Sequence, residues 1–223
     1  MADVYRDILP LALGAAVSPV LLLFIVGVLS GSGPLRRGLA FWAGALTMSA
    51  GIAAFFLLGA AGTGIGDGDH HRTLAGALFD LTAGALLLVL AAVTIVRGPR
   101  PKKPPKHTHE PGTEPHLART YLFGIGSMAT NVTSLALYLP ALKEIVVDGT
   151  SDGGRALAAG VFIAIMLAPI ELPLAAYAIA PQRASAAFEK LKALLTKHQR
   201  RVGIGVEIGF GAYLAYKGIS HLP

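Results

Sequence analysis

Three acidic residues lie inside long apolar runs of the sequence: Asp80, Glu171 and Glu207. An ionised carboxylate at the centre of a membrane helix costs about 2.5–3.5 kcal/mol, so such groups face the interior of a helix bundle and often relay protons. We therefore predict that these carboxyls gain and lose protons inside a helix bundle. The alternative is that one or more of them are satisfied structurally, with a Lys or Arg nearby. By depth, Glu171 and Glu207 share one half of the bilayer, where they could meet, and Asp80 lies in the other half.

Short polar side chains form two further clusters at the middle of apolar runs. The candidate substrate-binding residues are Ser18, Pro19, Thr130, Asn131, Thr133 and Ser134. Pro19 removes a backbone donor, so a carbonyl one turn earlier needs a new partner, for which the adjacent Ser18 is the candidate. Polar or broken backbone at membrane depth is tolerated against protein or a water-filled cavity. The alternative is ordinary hydrogen bonding between packed helices.

Two prolines flank Glu171, at Pro169 and Pro173. Prolines four residues apart kink or unwind a helix. We predict a hinge for alternating access at this point, and a static kink is the equal alternative.

The composition indicates a membrane protein. Hydrophobic residues make up 53% of the 223 residues and charged residues 14%, whereas a soluble domain carries about 25% charged residues. The chain has no Cys, so thiol chemistry and disulfides are excluded. The net charge of +6 comes from basic residues beside apolar runs, which indicates topology rather than nucleic-acid binding. The loop Asp67-Gly-Asp69-His70-His71 could hold a metal, but no helical ligand spacing supports this alternative. We predict no metal, no cofactor and no enzymatic activity.

Six stretches approach the roughly 20 apolar residues that a membrane-spanning helix needs. They are residues 8–29, 38–61, 73–96, 120–142, 155–180 and 202–219. Residues 182–199 carry apolar side chains at helical spacing with Lys and Glu between them, which predicts an amphipathic helix at the membrane interface. The predicted fold is thus all-α and polytopic, with six transmembrane helices and one interfacial helix before the last span.

The loops alternate in charge, which predicts the orientation. The basic residues cluster in the first, third and fifth loops, at Arg36, Arg37, Arg97, Arg100, Lys102, Lys103, Lys106, Arg119, Arg183, Lys190, Lys192, Lys197, Arg200 and Arg201. The positive-inside rule places these loops in the cytoplasm and both termini outside the cytoplasmic membrane.

The two halves of the sequence match weakly in three places and in the same order. The matched segments are 14–20 with 126–132, Gly38 and Gly44 with Gly154 and Gly160, and 80–85 with 207–212. Because each half holds three spans, the repeats are inverted, as in many secondary transporters. The predicted organisation is a first repeat at 1–97, a Pro-rich basic linker at 98–118 and a second repeat at 119–223.

The chain resembles the LysE superfamily of exporters, and within it the GAP, or Sap, family of glycopeptidolipid- and sulfolipid-addressing proteins. The resemblance lies in Val17-Ser18-Pro19, the Pro-rich linker, Gly126 to Asn131, the amphipathic segment 188–198 and Lys217-Gly218-Ile219. Two features depart from the family pattern. Asn131-Val132-Thr133 stands where the family commonly has Asn-Pro-Lys, and an acidic Glu207 is not expected in the last span.

The resemblance implies export of a lipid or glycolipid toward the cell envelope. With the buried carboxylates, the leading hypothesis is a proton-coupled secondary transporter whose partners are membrane lipids, an amphipathic substrate and protons. The alternatives are an exporter of amino acids or divalent cations, and an accessory protein of envelope-lipid assembly that transports nothing. Formation of a homodimer is left open.

Overall fold

The computed structural model of the chain describes residues 2–63, 74–97, 116–147 and 151–220, and these residues form helices and short connections with no β-strand among them. The helices are α1 (Ala2–Ala16), α2 (Pro19–Leu29), α3 (Pro34–Thr63), α4 (Leu74–Arg97), α5 (Leu117–Ala129), α6 (Val132–Val147), α7 (Asp152–Ile179) and α8 (Pro181–Ser220). The loop with His70 and His71, and nearly all of the Pro-rich linker predicted at 98–118, lie outside the described residues.

The first and fourth predicted spans are each two helices rather than one. α1 and α2 meet at an angle of 53°, and α5 and α6 meet at 70°. Among the described residues, two helices, α3 and α7, are by themselves long and apolar enough to cross a membrane, and the number rises to four if each bent pair is one span. The described residues therefore form an all-helical structure with two to four candidate membrane spans.

The predicted interfacial helix is helical but is not a separate element. α8 runs without interruption from Pro181 to Ser220, so residues 182–199 continue directly into the last predicted span. Its first part is anchored by Phe188, which is buried and stacks on Tyr177 of α7 with ring centroids 6.4 Å apart. Because 199–202 contains neither Gly nor Pro, nothing in the backbone ends the helix where the hydropathy changes.

Glycines set the closest helix contacts. A Cβ on Gly84 of α4 would lie 2.7 Å from the Ala215 backbone nitrogen and 2.9 Å from the Gly211 carbonyl oxygen of α8. Further along α4, the carbonyl oxygens of Thr94 and Ile95 accept hydrogen bonds from Arg200. Later residues of α4 thus face earlier residues of α8, so the two helices pack antiparallel.

A second close approach joins α3 to α5. A Cβ on Gly44 would overlap the Tyr121 carbonyl oxygen, and a Cβ on Gly124 would overlap the Phe41 carbonyl oxygen. Small residues let membrane helices approach until their backbones touch, which gives dispersion contacts where no hydrophobic driving force exists between helices. This packing holds α5, and with it the break before α6, against α3.

Candidate functional site

The break between α1 and α2 is built by Ser18 and Pro19. Ser18 has an extended backbone conformation and is the N-cap of α2, and its hydroxyl oxygen accepts from the Leu21 backbone N–H at 3.4 Å. Pro19 is the first residue of α2, a position where its missing N–H costs no helical hydrogen bond. The local sequence therefore ends one helix and starts another.

The break between α5 and α6 uses Thr130 and Asn131 and needs no proline. Thr130 ends α5, and its hydroxyl donates to the Gly126 carbonyl oxygen at 2.7 Å. Asn131 lies between the helices, and its Oδ1 accepts from the Ser134 backbone N–H at 3.3 Å, which is the bond of an N-cap. Each bent pair thus presents a polar N-cap at its bend.

The two helix breaks are in direct contact through Ser18 and Asn131. The Asn131 Nδ2 donates to the Ser18 Oγ at 3.1 Å. Ser18 is 9% exposed and Asn131 is half-buried. The first turns of α2 and α6 begin at this contact, and helix N-termini carry partial positive charge and backbone donors. The predicted substrate-binding residues of the two halves therefore come together at one place.

Ser134, not Ser18, satisfies the carbonyl that Pro19 frees. The carbonyl oxygen of Ala15 lies four residues before Pro19 and has no helical N–H to accept from. It accepts instead from the Ser134 Oγ at 2.9 Å. The expectation that the neighbouring Ser18 would fill this role was wrong, because Ser18 is used to cap α2 and to bind Asn131.

Glu207 of α8 lies beside this pair of breaks. Its Oε1 accepts from the Thr133 hydroxyl at 3.3 Å, and Thr133 belongs to the first turn of α6. The carboxyl is 9% exposed, and its Oε2 is buried without a hydrogen-bond partner among the described residues. One turn further along α8, the ring of Phe210 covers Gly14 of α1, where a Cβ would overlap it. A buried carboxyl with one unused oxygen suits the gain and loss of a proton.

Glu171 has a different environment from Glu207. The indole N–H of Trp42 donates to the Glu171 Oε1 at 3.0 Å and joins α7 to α3. Glu207 accepts a hydrogen bond from α6 instead, so these two carboxyls, which by depth could meet, have separate partners.

Asp80 belongs to a network of charges between α4, α6 and α8. Its side chain is fully buried, and its Oδ2 pairs with the Lys143 Nζ at 2.5 Å. Lys143 also pairs with Glu144 at 2.9 Å, and Glu144 pairs with Lys217 at 3.2 Å. The sequence placed Lys143 and Glu144 just beyond a span, but α6 continues to Val147 and carries them into the bundle. The signal was the uninterrupted run of helix-forming residues through them.

Pro169 and Pro173 lie inside α7, which is helical from Asp152 to Ile179. The helix is therefore not unwound at Glu171, and hinge motion at these prolines stays a prediction. Within the part of the chain that the structure describes, no group of three or more His, Asp and Glu side chains could hold a metal ion. The described polar atoms are placed for hydrogen bonding and charge pairing between helices.

Comparison with known proteins identifies the family. The profile of Sap, the sulfolipid-1-addressing protein, matches residues 8–220, which includes both helix breaks and Glu207. No curated protein and no solved structure matches the chain. The match covers nearly the whole sequence, and the chain belongs to the Sap family, whose name indicates a role in the addressing of sulfolipid.

Proposed function

We propose that this protein is a proton-coupled secondary transporter that exports a lipid or glycolipid from the cytoplasmic membrane toward the cell envelope. The observation that carries the proposal is the Ser18–Asn131 hydrogen bond, which joins two broken helices beside a buried carboxyl. Many secondary transporters bind their substrate between broken helices at the bilayer midplane, with helix N-termini facing a polar part of it. The family membership supports a lipid as the substrate.

The inverted repeat and the six spans are part of this proposal. In support of it, both bent pairs break at segments that match in the sequence, and α4 and α8 pack antiparallel through the matched residues Gly84 and Gly211. Antiparallel packing of matched helices is what a two-fold axis in the membrane plane requires. The orientation with both termini outside rests on the charge of the loops.

We assign proton coupling to Glu207. Its carboxyl accepts from Thr133 next to the cap of α6, and its Oε2 has no hydrogen-bond partner in the part of the chain that the structure describes. Protonation would weaken or redirect the bond from Thr133, and this would change the contacts that hold α6 against α8. Asp80 matches Glu207 in the repeat, but the Asp80 carboxylate forms an ion pair with Lys143. We therefore assign Asp80 a role in the stability of the fold.

The test compares surface-extractable with whole-cell lipids in a strain that lacks the protein. The strain is complemented with wild type, with Glu207→Gln or with Glu189→Gln, a matched control because Glu189 is exposed on the same helix. We expect one lipid class to return to the surface with wild type and Glu189→Gln and to accumulate inside with Glu207→Gln. Unchanged lipid pools in the strain without the protein would contradict lipid export, whereas full activity of Glu207→Gln would contradict only the coupling role.

A further inference from the structure

A groove of about 450 Å³ runs between α3 and α7 and has one polar end. Trp42 and Glu171 lie at that end, and the described residues along the rest of it are Ala, Gly, Leu or Ile. Seven of its lining residues are Ala or Gly, so the two helices leave space between them instead of filling it with side chains. Neither Ser18 nor Asn131 lines it, so it is distinct from the pair of helix breaks.

The groove is long and narrow along the helix axes. It extends on α7 from Ala156 to Glu171 and on α3 from Leu57 to Trp42. Fifteen residues of α-helix span about 22 Å, and the hydrocarbon of a whole bilayer is about 30 Å thick. A hydrocarbon chain extended along the helices would therefore fit the groove lengthwise, whereas a compact polar solute would leave most of the apolar lining uncovered.

The polar end lies toward the start of α3 and the basic residues there. Trp42 is nine residues into α3, close to the basic pair Arg36 and Arg37, and Trp is favoured at membrane interfaces. Its indole donates to the Glu171 Oε1, which fixes the direction of the carboxyl. Carboxyl oxygens accept hydrogen bonds, and a neutral group rich in donors complements them.

We propose that this groove holds one acyl chain of a glycolipid and that a sugar hydroxyl of its headgroup donates to the Glu171 carboxyl. This inference rests on the proposed lipid export and names the place where the lipid is first held. The apolar lining discriminates little between acyl chains, so recognition comes from the headgroup. Phosphatidylcholine has no headgroup donor to offer to Glu171.

Trp42 and two glycines allow lipid binding in the groove to be tested directly. Trp42 is the single Trp of the sequence, so all Trp fluorescence comes from the polar end of the groove. A second groove of about 480 Å³ lies on another face of α3 and is lined by Gly51. Gly160 in the first groove and Gly51 in the second each have no atom within 4 Å of an added Cβ, so Gly160→Leu and Gly51→Leu are matched variants.

The experiment titrates brominated lipid into phosphatidylcholine nanodiscs that hold the full chain and follows the quenching of Trp42. The probes are a glucosyl diacylglycerol and a phosphatidylcholine that carry the same brominated chains. We expect saturable quenching at a lower mole fraction of the glucosyl lipid. Gly160→Leu should raise the half-saturating fraction about tenfold, which corresponds to about 1.4 kcal/mol of binding free energy. Gly51→Leu should bind as wild type does, and Glu171→Gln should reduce the preference for the glucosyl lipid.

Two results would overturn the proposal: equal quenching by both brominated lipids in wild type, or equal half-saturating fractions in Gly160→Leu and Gly51→Leu. Circular dichroism and gel filtration of both variants guard against a folding defect. Surface lipid is measured separately in cells. Unaltered binding and unaltered export in Gly160→Leu would reject the groove and leave the export function intact, whereas unchanged lipid pools in a strain without the protein would reject the function itself.

Discussion

The hydroxyl of Ser134 donates to the carbonyl oxygen of Ala15 at 2.9 Å, and this bond from the second half of the chain completes a helix of the first. Pro19 makes it necessary, because a proline leaves the carbonyl four residues earlier without its helical donor. The break in one bent pair is thus stabilised by a side chain from the other, and each half of the site requires the other half to be folded.

Removal of this hydroxyl should destabilise the fold. Ser134→Ala leaves a buried carbonyl without a partner, which costs about 1–3 kcal/mol. Ser185→Ala is the control, since Ser185 makes the same kind of bond, to the Pro181 carbonyl oxygen, on an exposed helix surface. Thermal unfolding in detergent, followed by circular dichroism, compares the two variants. Equal midpoints for both would show that the Ala15 carbonyl does not depend on Ser134.

Restoring the donor that Pro19 lacks should straighten the first bent pair. Pro19→Ala supplies an N–H to the Ala15 carbonyl and makes a continuous helix through Ser18 possible. Because the chain has no Cys, spin labels at Leu9→Cys and Gly27→Cys are unique. We expect the distance between the labels to lengthen in Pro19→Ala as the 53° bend opens. An unchanged distance would mean that Asn131 and Ser134 hold the bend without help from the proline.

The pair of Asp80 and Lys143 should matter more for stability than for transport. Removal of one partner of a buried ion pair costs about 3–5 kcal/mol, because the other charge stays buried. Lys143→Met should therefore lower the unfolding midpoint strongly, and Asp80→Asn combined with Lys143→Met should recover most of the loss.

The control for that pair is Asp152→Asn. The Asp152 carboxylate pairs with Arg155, but the Asp152 side chain is 91% exposed. Exposed pairs contribute about 0–1 kcal/mol, so this variant should unfold like wild type. In cells, the Asp80→Asn and Lys143→Met double variant should still deliver lipid to the surface. Loss of delivery at a normal protein level would instead place Asp80 in the transport cycle.

Contact between α4 and α8 should tolerate no side chain at Gly84. A Cβ there would lie 2.7 Å from a backbone atom, which cannot move aside as a flexible side chain can. Gly84→Ala should therefore lower the thermal midpoint. Gly209→Ala, on α8 with nothing within 4 Å of its Cβ, should be neutral or stabilising, because Ala exceeds Gly in helix propensity by about 1 kcal/mol. The reverse order of midpoints would refute the close packing.

The orientation can be read from single cysteines. Glu189→Cys lies on the exposed surface of the first part of α8, and Asp7→Cys lies near the start of α1. A membrane-impermeant maleimide applied to intact spheroplasts should label Asp7→Cys, and it should label Glu189→Cys after lysis. Labelling in the opposite pattern would invert the topology that the loop charges predict.

Local chemistry made the break at Pro19 predictable from the sequence, since a proline acts on its own helix. The break at Asn131 was visible only as a polar cluster, because no residue there forbids a helix. The pairing of Asn131 with Ser18 joins residues 113 positions apart and is fixed by packing that no local pattern reports. For α8, the sequence predicted a boundary between two elements that the structure does not have. The change in hydropathy near residue 200 suggested two elements, but without a helix-breaking residue the backbone continues.

The continuous helix α8 connects two distant contacts of the protein. Forty residues of helix measure about 60 Å, twice the thickness of the hydrocarbon layer. The first quarter of this helix carries Phe188, which packs against α7, and its second half carries Glu207 and Phe210, which contact α6 and α1. Because one continuous helix joins these contacts, we expect a displacement of the first part of α8 to move the Glu207 carboxyl relative to Thr133.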